Sequence, residues 1–290
     1  MPHASLTNAV PSILNFRDIG AFINAKTGSH ILKPGLLYRS ARPDSASTAD
    51  RHKLTSTLNI RTIIDLRSQT EHDVQARKHA TDKHDNDNTV LGRMSEITYY
   101  DVNLNGGAFS RALLWRLTWR SLFKLLALMA RGYRPEAVSI LGKEVMQARG
   151  LEGLASDTLD FSTSEIREIF EILARERSYP LLVHCTQGKD RTGLVIILLL
   201  LLLDIPKDAI TADYLASEQE LEPEKEERVA ELRRVGLTED FARCPEGFVQ
   251  HVTSRINEQY GGVEKHLVEA CGVLPAHLDE IKRILHSQTT

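Results

Sequence analysis

The residues that decide the fold run from Tyr179 to Gly193, in the order Tyr-Pro-Leu-Leu-Val-His-Cys-Thr-Gln-Gly-Lys-Asp-Arg-Thr-Gly. Residues 181–183 predict a short buried strand, the polar residues after them predict a tight loop, and the apolar run 194–203 predicts a buried helix. Cys185 begins the loop and Arg191 ends it. A loop of this kind at a helix N-terminus predicts an anion-binding cradle with a sulfur nucleophile at its base.

The electrostatics of such a loop favour a bound phosphate. The helix directs its free backbone N–H groups toward the loop, and the guanidinium of Arg191 can bind two oxygens of one phosphate. Gly188 permits a backbone conformation that a Cβ would penalise. We expect Thr192 to offer its hydroxyl to the cysteine sulfur. The other loop residues are expected to line the anion site with their backbone N–H groups: Thr186, Gln187, Lys189 and Asp190.

The expected chemistry is phosphoryl transfer in two steps. Arginine side chains and helix N-termini stabilise a thiolate, which is the reactive form of cysteine. Cys185 would attack phosphorus while a general acid protonates the leaving oxygen, and water would then hydrolyse the phosphocysteine. This chemistry rests on positioning and electrostatics, so we expect neither a metal ion nor a cofactor.

Composition narrows the class of protein. The 290 residues carry a net charge of −3, whereas nucleic-acid-binding domains are usually strongly basic, so we expect no nucleic-acid partner. The three cysteines are too scattered for a disulfide framework, and the N-terminus lacks a secretory signal, which together favour a cytoplasmic location. The apolar run 193–203 extends only roughly 16 Å as a helix, against about 30 Å of hydrocarbon, and therefore predicts a core helix and no transmembrane segment.

Strand and helix patterns alternate before the loop. Strands are expected at residues 36–40, 61–67, 97–102 and 181–183, with a helix at 48–58 between the first two. This order predicts a single α/β domain over residues 1–290, with a central, mostly parallel sheet of four to five strands flanked by helices. The hexamer 15–20 is expected to form a turn, the polar segment 78–95 a surface loop, and residues 206–290 the last helices.

A basic helical segment separates two of the predicted strands. Residues 109–129 predict one long helix and residues 136–149 a second, which together suggest a helical insertion over about 107–150. Basic residues spaced by four share one helical face: Arg116, Arg120 and Lys124. An ordinary amphipathic pair, a lid, and a contact for anionic substrates or a membrane surface through residues 111–134 all fit this pattern.

The loop also resembles a known signature. His184 to Gly193 is similar to the motif of the protein tyrosine phosphatase superfamily, in which His-Cys and Arg-Ser/Thr-Gly flank five residues. Its Gly-Lys-Asp-Arg-Thr-Gly form resembles the bacterial and fungal tyrosine/serine phosphatases. Segments similar to others of that family lie at residues 15–20, 38–40, 65–67 and 213–214.

The resemblance implies a phosphatase-like α/β fold and a phosphocysteine intermediate on Cys185. It implies a phosphorylated protein as substrate, with phosphotyrosine first and phosphoserine or phosphothreonine in addition, or alternatively a phosphoinositide or inositol phosphate. An inactive phosphate-binding module is a further alternative, which the presence of both Cys185 and Arg191 opposes. A sulfurtransferase also uses a cysteine in such a loop, but its loop does not need the Arg-Thr-Gly sequence found here at 191–193.

Three aspartates are candidates for the general acid. Asp65 is the first choice because it ends a predicted strand, where α/β folds place groups that face ligands. Asp190 lies within the loop itself, and Asp101 follows another strand. Each has an alternative structural role: Asp65 can pair with Arg67, and Asp190 can cap the helix that follows it.

Other charged residues of the signature segments have two interpretations each. Lys189 is either a second positive contact for a polyanionic substrate or a simple surface charge. Arg17, Arg39 and Arg67 either frame the pocket or make structural ion pairs. We expect His184 and Arg67 to support the site.

Overall fold

One sheet of five strands forms the centre of the chain in the computed structural model, which describes residues 9–81 and 93–287. In spatial order the strands are β1 (Arg17–Asp18), β2 (Leu37–Ser40), β5 (Leu181–His184), β3 (Thr62–Asp65) and β4 (Thr98–Asp101). Strands β2, β5, β3 and β4 are parallel, and β1 pairs antiparallel with β2. The predicted α/β domain with a mostly parallel sheet is therefore confirmed.

The register of the sheet places the signature loop at its centre. Strand β5 lies between β2 and β3, with His184 opposite both Ser40 and Asp65. All four residues of β5 are buried. The loop that follows His184 therefore leaves the carboxyl edge of the sheet between two parallel neighbours, which is where open α/β sheets bind their ligands.

Helices cover both faces of the sheet. Before β5 they are α1 (Ile19–Thr27), α2 (Thr48–His52), α3 (Gln69–Thr81), α4 (Gly107–Leu114), α5 (Trp119–Ala130), α6 (Arg134–Leu141), α7 (Gln147–Phe161) and α8 (Thr163–Leu173). After β5 they are α9 (Asp190–Leu202), α10 (Lys207–Glu220), α11 (Lys225–Arg234), α12 (Phe248–Tyr260), α13 (Val263–Lys265) and α14 (Pro275–Leu285). Short π-helical turns follow α2, α6 and α13, at Lys53–Thr57, Gly142–Met146 and His266–Ala270.

Helix α9 is the core helix that the apolar run predicts. Its residues from Thr192 to Leu200 are all buried, and they pack in one cluster with apolar side chains of β5, α8 and α12. Within the described part of the chain, no helix combines the length and the apolarity needed to cross a membrane. Because α9 is fixed on all sides, its first turn gives the signature loop a rigid end.

Several predicted boundaries were wrong. The helix expected over 109–129 is broken, because Thr118 caps α5 by accepting a hydrogen bond from the Ser121 backbone N–H at 3.2 Å. The second helix of the insertion continues beyond Arg149 through a change of direction at Gly150, whose φ is 64°.

The hexamer 15–20 is a turn only at Asn15, whose φ is 56°. It contains β1 and the start of α1, where the Asp18 carboxylate accepts from the Ala21 backbone N–H at 3.0 Å. In the predicted loop 78–95, helix α3 extends to Thr81 and residues 82–92 lie outside the described residues.

Candidate active site

The signature loop is shaped by a close approach between two backbones. Gly188 has a φ of 63°, and a Cβ at this position would lie only 2.0 Å from the Ser40 carbonyl oxygen at the end of β2. Glycine is the residue that tolerates both this conformation and this distance. Cys185 lies at the start of the loop with only 3% of its surface exposed. The nucleophile predicted from the sequence therefore lies at the base of a tightly folded loop.

Arg191, in the first turn of α9, is held by a carboxylate that the sequence did not identify. Its Nη1 and Nη2 atoms donate to Glu71 Oε2 and Oε1 of α3 at 2.7 and 2.5 Å, and Nη1 also donates to the Leu66 carbonyl at 3.2 Å. Burial opposes ionisation of Glu71, but Arg191 outweighs it and holds the pKa of this carboxyl well below its usual range. The Thr186 hydroxyl donates to the same carboxylate. Glu71 therefore fixes both ends of the loop.

The sequence around Glu71 has a recognisable pattern, but this pattern predicts only the start of a helix and not a contact with the loop. Ser68 and Glu71 have the spacing of a capping box, and Glu71 Oε2 accepts from the Ser68 backbone N–H and hydroxyl at 3.0 and 2.9 Å. This pattern predicts a helix start. The second role of Glu71 depends on a contact with Arg191, 120 positions away, which spacing alone does not show.

A buried ionic network supports the loop from below. Asp213 of α10 accepts from Arg17 Nε at 2.7 Å and from Arg39 Nη1, and each of the three residues is at most 2% exposed. Arg39 Nη2 donates to the Gly188 carbonyl at 2.6 Å, and Asn15 Nδ2 donates to the same carbonyl at 3.0 Å. The network thus holds the Gly188 carbonyl oxygen, which carries a partial negative charge that would repel an anion bound in the loop.

The protonation state of this network is set by its geometry. Burial opposes the charge on Asp213, but Arg17 and Arg39 outweigh it and hold the pKa of this carboxyl below its usual range. Of the two roles considered for these arginines, structural pairing is the one observed.

Lys189 does not face the cradle, which contradicts the predicted contact with a polyanionic substrate. Its side chain is buried, and Nζ donates to the Phe241 and Arg243 carbonyls at 2.9 and 2.7 Å. Nζ also lies 3.2 Å from Asp190 Oδ1. The lysine therefore ties the loop to the segment before α12.

Asp65, the first choice for the general acid, lies in a tight ion pair. Arg67 Nη2 donates to its Oδ2 at 2.7 Å and Arg67 Nε to its Oδ1 at 3.0 Å, while His184 Nε2 lies 3.5 Å from Oδ2. Burial opposes its charge, but His184 and Arg67 outweigh this effect and lower the pKa of Asp65 to about 2. A carboxyl with this pKa holds no proton to donate near neutral pH, so its position argues against the predicted role.

Two carboxylates and an imidazole at this edge of the sheet lie close enough together to suggest a metal site. Ligand atoms of Asp65, His72 and Asp101 lie within 4.8 Å of one another. Arg67 and Arg93 already neutralise the two aspartates, the second through a contact of 2.5 Å to Asp101. The two guanidinium groups occupy the carboxylate oxygens that a cation would need, so the donor set does not fit a metal ion. Asp101 is thereby also engaged away from the loop.

Asp190 is the candidate acid that lines the cleft beside the loop. The cleft has a volume of about 210 Å³, and its polar lining includes Gln187, Asp190 and Arg191 of the loop. Its apolar wall includes side chains of the insertion and of the helices after α9, among them Phe109, Leu151, Leu154, Phe241 and Phe248. The predicted insertion therefore contributes directly to the site.

Two further predicted residues lie at the base of the loop. His184 is buried at the end of β5, with Nδ1 3.2 Å from the Cys185 carbonyl oxygen, and burial lowers the pKa of its imidazole. The Thr192 hydroxyl is buried without a hydrogen-bond partner among the described residues. That this hydroxyl serves the cysteine sulfur stays a prediction.

Comparison with known proteins agrees with the site. Residues 8–287 match the tyrosine phosphatase family. The chain belongs to this family. It is 26% identical to a candidate tyrosine-protein phosphatase of Cupriavidus necator, over 93% of this chain and 86% of the relative. It is 25% identical to a triple specificity protein phosphatase of Mycobacterium tuberculosis, over 95% of this chain and 98% of the relative.

A weaker similarity extends to inositol phosphatases. The chain is 24% identical to an inositol diphosphatase of Arabidopsis thaliana, over 55% of this chain and 51% of the relative. The family assignment confirms the predicted cysteine-dependent phosphatase, a phosphoric monoester hydrolase.

Removing the central charge of the buried network should destabilise the fold. We expect Asp213→Asn to lower the free energy of unfolding by about 3 kcal/mol, because two buried guanidinium groups would lose their counter-charge. Asp208→Asn, at an exposed position in the first turn of the same helix, is the matched control and should have a small effect. Urea unfolding measures both; equal stability of the two variants would contradict the assigned role.

Loosening Arg191 should lower activity without unfolding the protein. We expect Glu71→Gln to reduce kcat/KM on an aryl phosphate by about 100-fold, since a misplacement of 1 Å can have an effect of this size. The inhibition constant of inorganic phosphate should rise in the same variant, because Arg191 is the predicted ligand of both the substrate phosphate and inorganic phosphate. Glu168→Gln, at an exposed site on α8, is the control. Unchanged phosphate inhibition in Glu71→Gln would contradict the positioning role.

Proposed function

We propose that the chain hydrolyses phosphotyrosine in proteins, with Cys185 as nucleophile and Asp190 as general acid. The observation that carries this proposal is the arrangement of Cys185 and Arg191 around the signature loop, with an apolar cleft directly beside it. Activity toward phosphoserine and phosphothreonine belongs to the same proposal, because the loop binds the phosphate and not the side chain that carries it.

Arg191 has donors left for a phosphate. An arginine has five N–H donors, and Glu71 and Leu66 occupy two on Nη1 and one on Nη2. The remaining donors are on Nε and Nη2, which lie on one edge of the guanidinium. This edge can bind two phosphate oxygens while Glu71 holds the other edge in place.

The reaction then follows in two balanced steps. The Cys185 thiolate attacks phosphorus, the bond from phosphorus to the leaving oxygen breaks, and this oxygen takes a proton from Asp190. A water molecule next attacks the phosphocysteine, giving its proton to the Asp190 carboxylate, and the thiolate leaves with inorganic phosphate free.

The cleft beside the loop favours an aromatic leaving group. Its apolar side chains would surround the tyrosine ring of a phosphorylated protein, and burial of such a ring contributes to binding through the hydrophobic effect. The tyrosine ring that carries the phosphate is apolar, so it needs no hydrogen-bonding partner from the cleft.

A phosphoinositide or inositol phosphate is the second candidate substrate. Its support is the similarity to the Arabidopsis inositol diphosphatase. Two sequence features predicted this alternative, Lys189 and the basic segment 111–134. Lys189 is turned toward backbone carbonyls, so the basic segment is the one that remains. Turnover of phosphotyrosine peptides compared with short-chain phosphoinositides separates the two candidates.

The nucleophile is tested by one substitution in a chelator. We expect Cys185→Ser to abolish hydrolysis of p-nitrophenyl phosphate in EDTA, because an alcohol lacks the reactive thiolate. Cys271→Ser is the matched control and should retain activity, since burial raises the pKa of the Cys271 thiol to about 12 and keeps it unreactive. Residual turnover in Cys185→Ser, or turnover that appears only after metal is added, would contradict the mechanism.

The general acid is tested by the leaving group. We expect Asp190→Asn to lower turnover of phenyl phosphate by about 100-fold or more, and that of p-nitrophenyl phosphate much less, because a good leaving group needs no proton. Asp65→Asn is the comparison and should affect both substrates to the same extent. The reverse pattern, with leaving-group dependence only in Asp65→Asn, would return the role to Asp65.

A further inference from the structure

The insertion presents an apolar face to solvent that the core does not explain. Trp115 is 86% exposed, and Trp119 and Phe123 are each 67% exposed. Trp119, Phe123 and Leu126 recur at spacings of four and three, so they share one face of α5. We call the surface formed by these three residues, together with the exposed Trp115 four positions before Trp119, the outer face. Large contiguous apolar patches are uncommon on the surfaces of soluble proteins, and they usually mark interaction sites.

The opposite side of the same helix is already packed. Leu125 of α5 is buried in a cluster of the insertion's own side chains, which includes Phe109, Leu113, Ile140 and Val145. The helix is therefore held in place by its inner side, and the outer face is not needed for folding.

Charge indicates what covers the outer face. Residues 106–135 contain six arginines and lysines and no aspartate or glutamate, although the whole chain has a net charge of −3. Arg116 is neutralised by Asp157 at 2.7 Å. Arg120 and Lys124 are exposed and spaced by four, next to the aromatic stripe, and the Arg120 guanidinium lies 5.3 Å from the centre of the Trp119 ring.

From this combination we propose that the outer face binds the surface of an anionic lipid bilayer. Tryptophan and phenylalanine enter the boundary between headgroups and acyl chains, while flanking arginines and lysines are attracted to anionic lipids. A second copy of the chain would bring the same basic charges together, so charge disfavours a dimer through this face. Helix α5 has 12 residues and is too short to span a bilayer, so it lies in the plane of the surface.

Membrane binding through the outer face would determine where the catalytic cleft is located. The insertion that carries the outer face also lines the cleft through Phe109 and Met146. Binding to a bilayer would hold the catalytic cleft near the membrane, where phosphorylated membrane proteins and phospholipids are concentrated. The binding itself does not depend on the proposed reaction, so each can fail without the other.

The chain contains its own probe for this interaction. Its only two tryptophans, Trp115 and Trp119, both lie at the outer face. We expect a blue shift of tryptophan fluorescence when the full chain is mixed with vesicles of 70% phosphatidylcholine and 30% phosphatidylserine. Pure phosphatidylcholine vesicles should give a much smaller shift, and added salt should reverse binding to the anionic vesicles.

Variants separate charge from apolar contact in vesicle sedimentation. Arg120→Gln with Lys124→Gln should weaken binding to the anionic vesicles about 30-fold. Leu126→Ala with Phe123→Ala should also weaken it, while the tryptophans remain as probes. Arg177→Gln with Lys207→Gln, and Leu274→Ala, change exposed residues elsewhere and should bind like the wild type. All these variants, and the wild type, should hydrolyse p-nitrophenyl phosphate equally.

Three results would overturn the proposal. The first is the absence of both a blue shift and sedimentation with anionic vesicles. The second is equal binding by the outer-face variants and their controls. The third is a blue shift produced by self-association or by an acidic polypeptide such as polyglutamate, with none produced by lipid, which would assign the face to a protein partner. Cys185→Ser should bind vesicles like the wild type, so loss of catalysis and loss of binding are distinguishable.

Discussion

The ion pairs that Asp213 makes with Arg17 and Arg39 are the constraint on which the site depends. They join β1, β2 and α10 beneath the signature loop, and Arg39 extends the contact to the Gly188 carbonyl. Burying three charges is costly unless each is paired, and here one carboxylate serves two guanidinium groups. The three residues together carry one excess positive charge. This charge is fixed before substrate arrives, which is the condition under which electrostatic stabilisation of a phosphate is most effective.

The loop is consequently held from two sides by different means. The buried network binds the carbonyl side of the loop, and Glu71 holds Arg191 and Thr186 at its mouth. Gly188 is required between them because the Ser40 carbonyl approaches too closely for any side chain. A loop fixed in this way needs little reorganisation when it binds an anion, so the binding energy is not spent on ordering it.

The sequence was sufficient where the signal was local. The apolar runs of β5 and α9, and the spacing of Cys185 and Arg191, predicted the strand, the loop and the core helix correctly. It was insufficient where a partner comes from a distant part of the chain. From the sequence, Lys189 was a candidate substrate ligand, but in the fold it donates to the Phe241 and Arg243 carbonyls. The sequence pattern around Glu71 predicts only a helix cap.

The comparison of Asp65 with Asp190 shows the same limit in chemical terms. Both follow or flank β5 at the carboxyl edge of the sheet, and sequence position favoured Asp65. His184 and Arg67 outweigh burial and lower the pKa of Asp65 to about 2, an effect of its surroundings that sequence position does not show. The break between α4 and α5 has a related cause, because the Thr118 cap outweighs a continuous helical pattern.

The two walls of the cleft have different structural origins, and this division has a consequence. Gln187, Asp190 and Arg191 of the polar lining belong to the loop, whereas Phe109 and Met146 of the apolar lining come from the insertion, which has its own hydrophobic cluster. Substitutions in the insertion can therefore change the shape of the cleft without disturbing the ionic network below the loop.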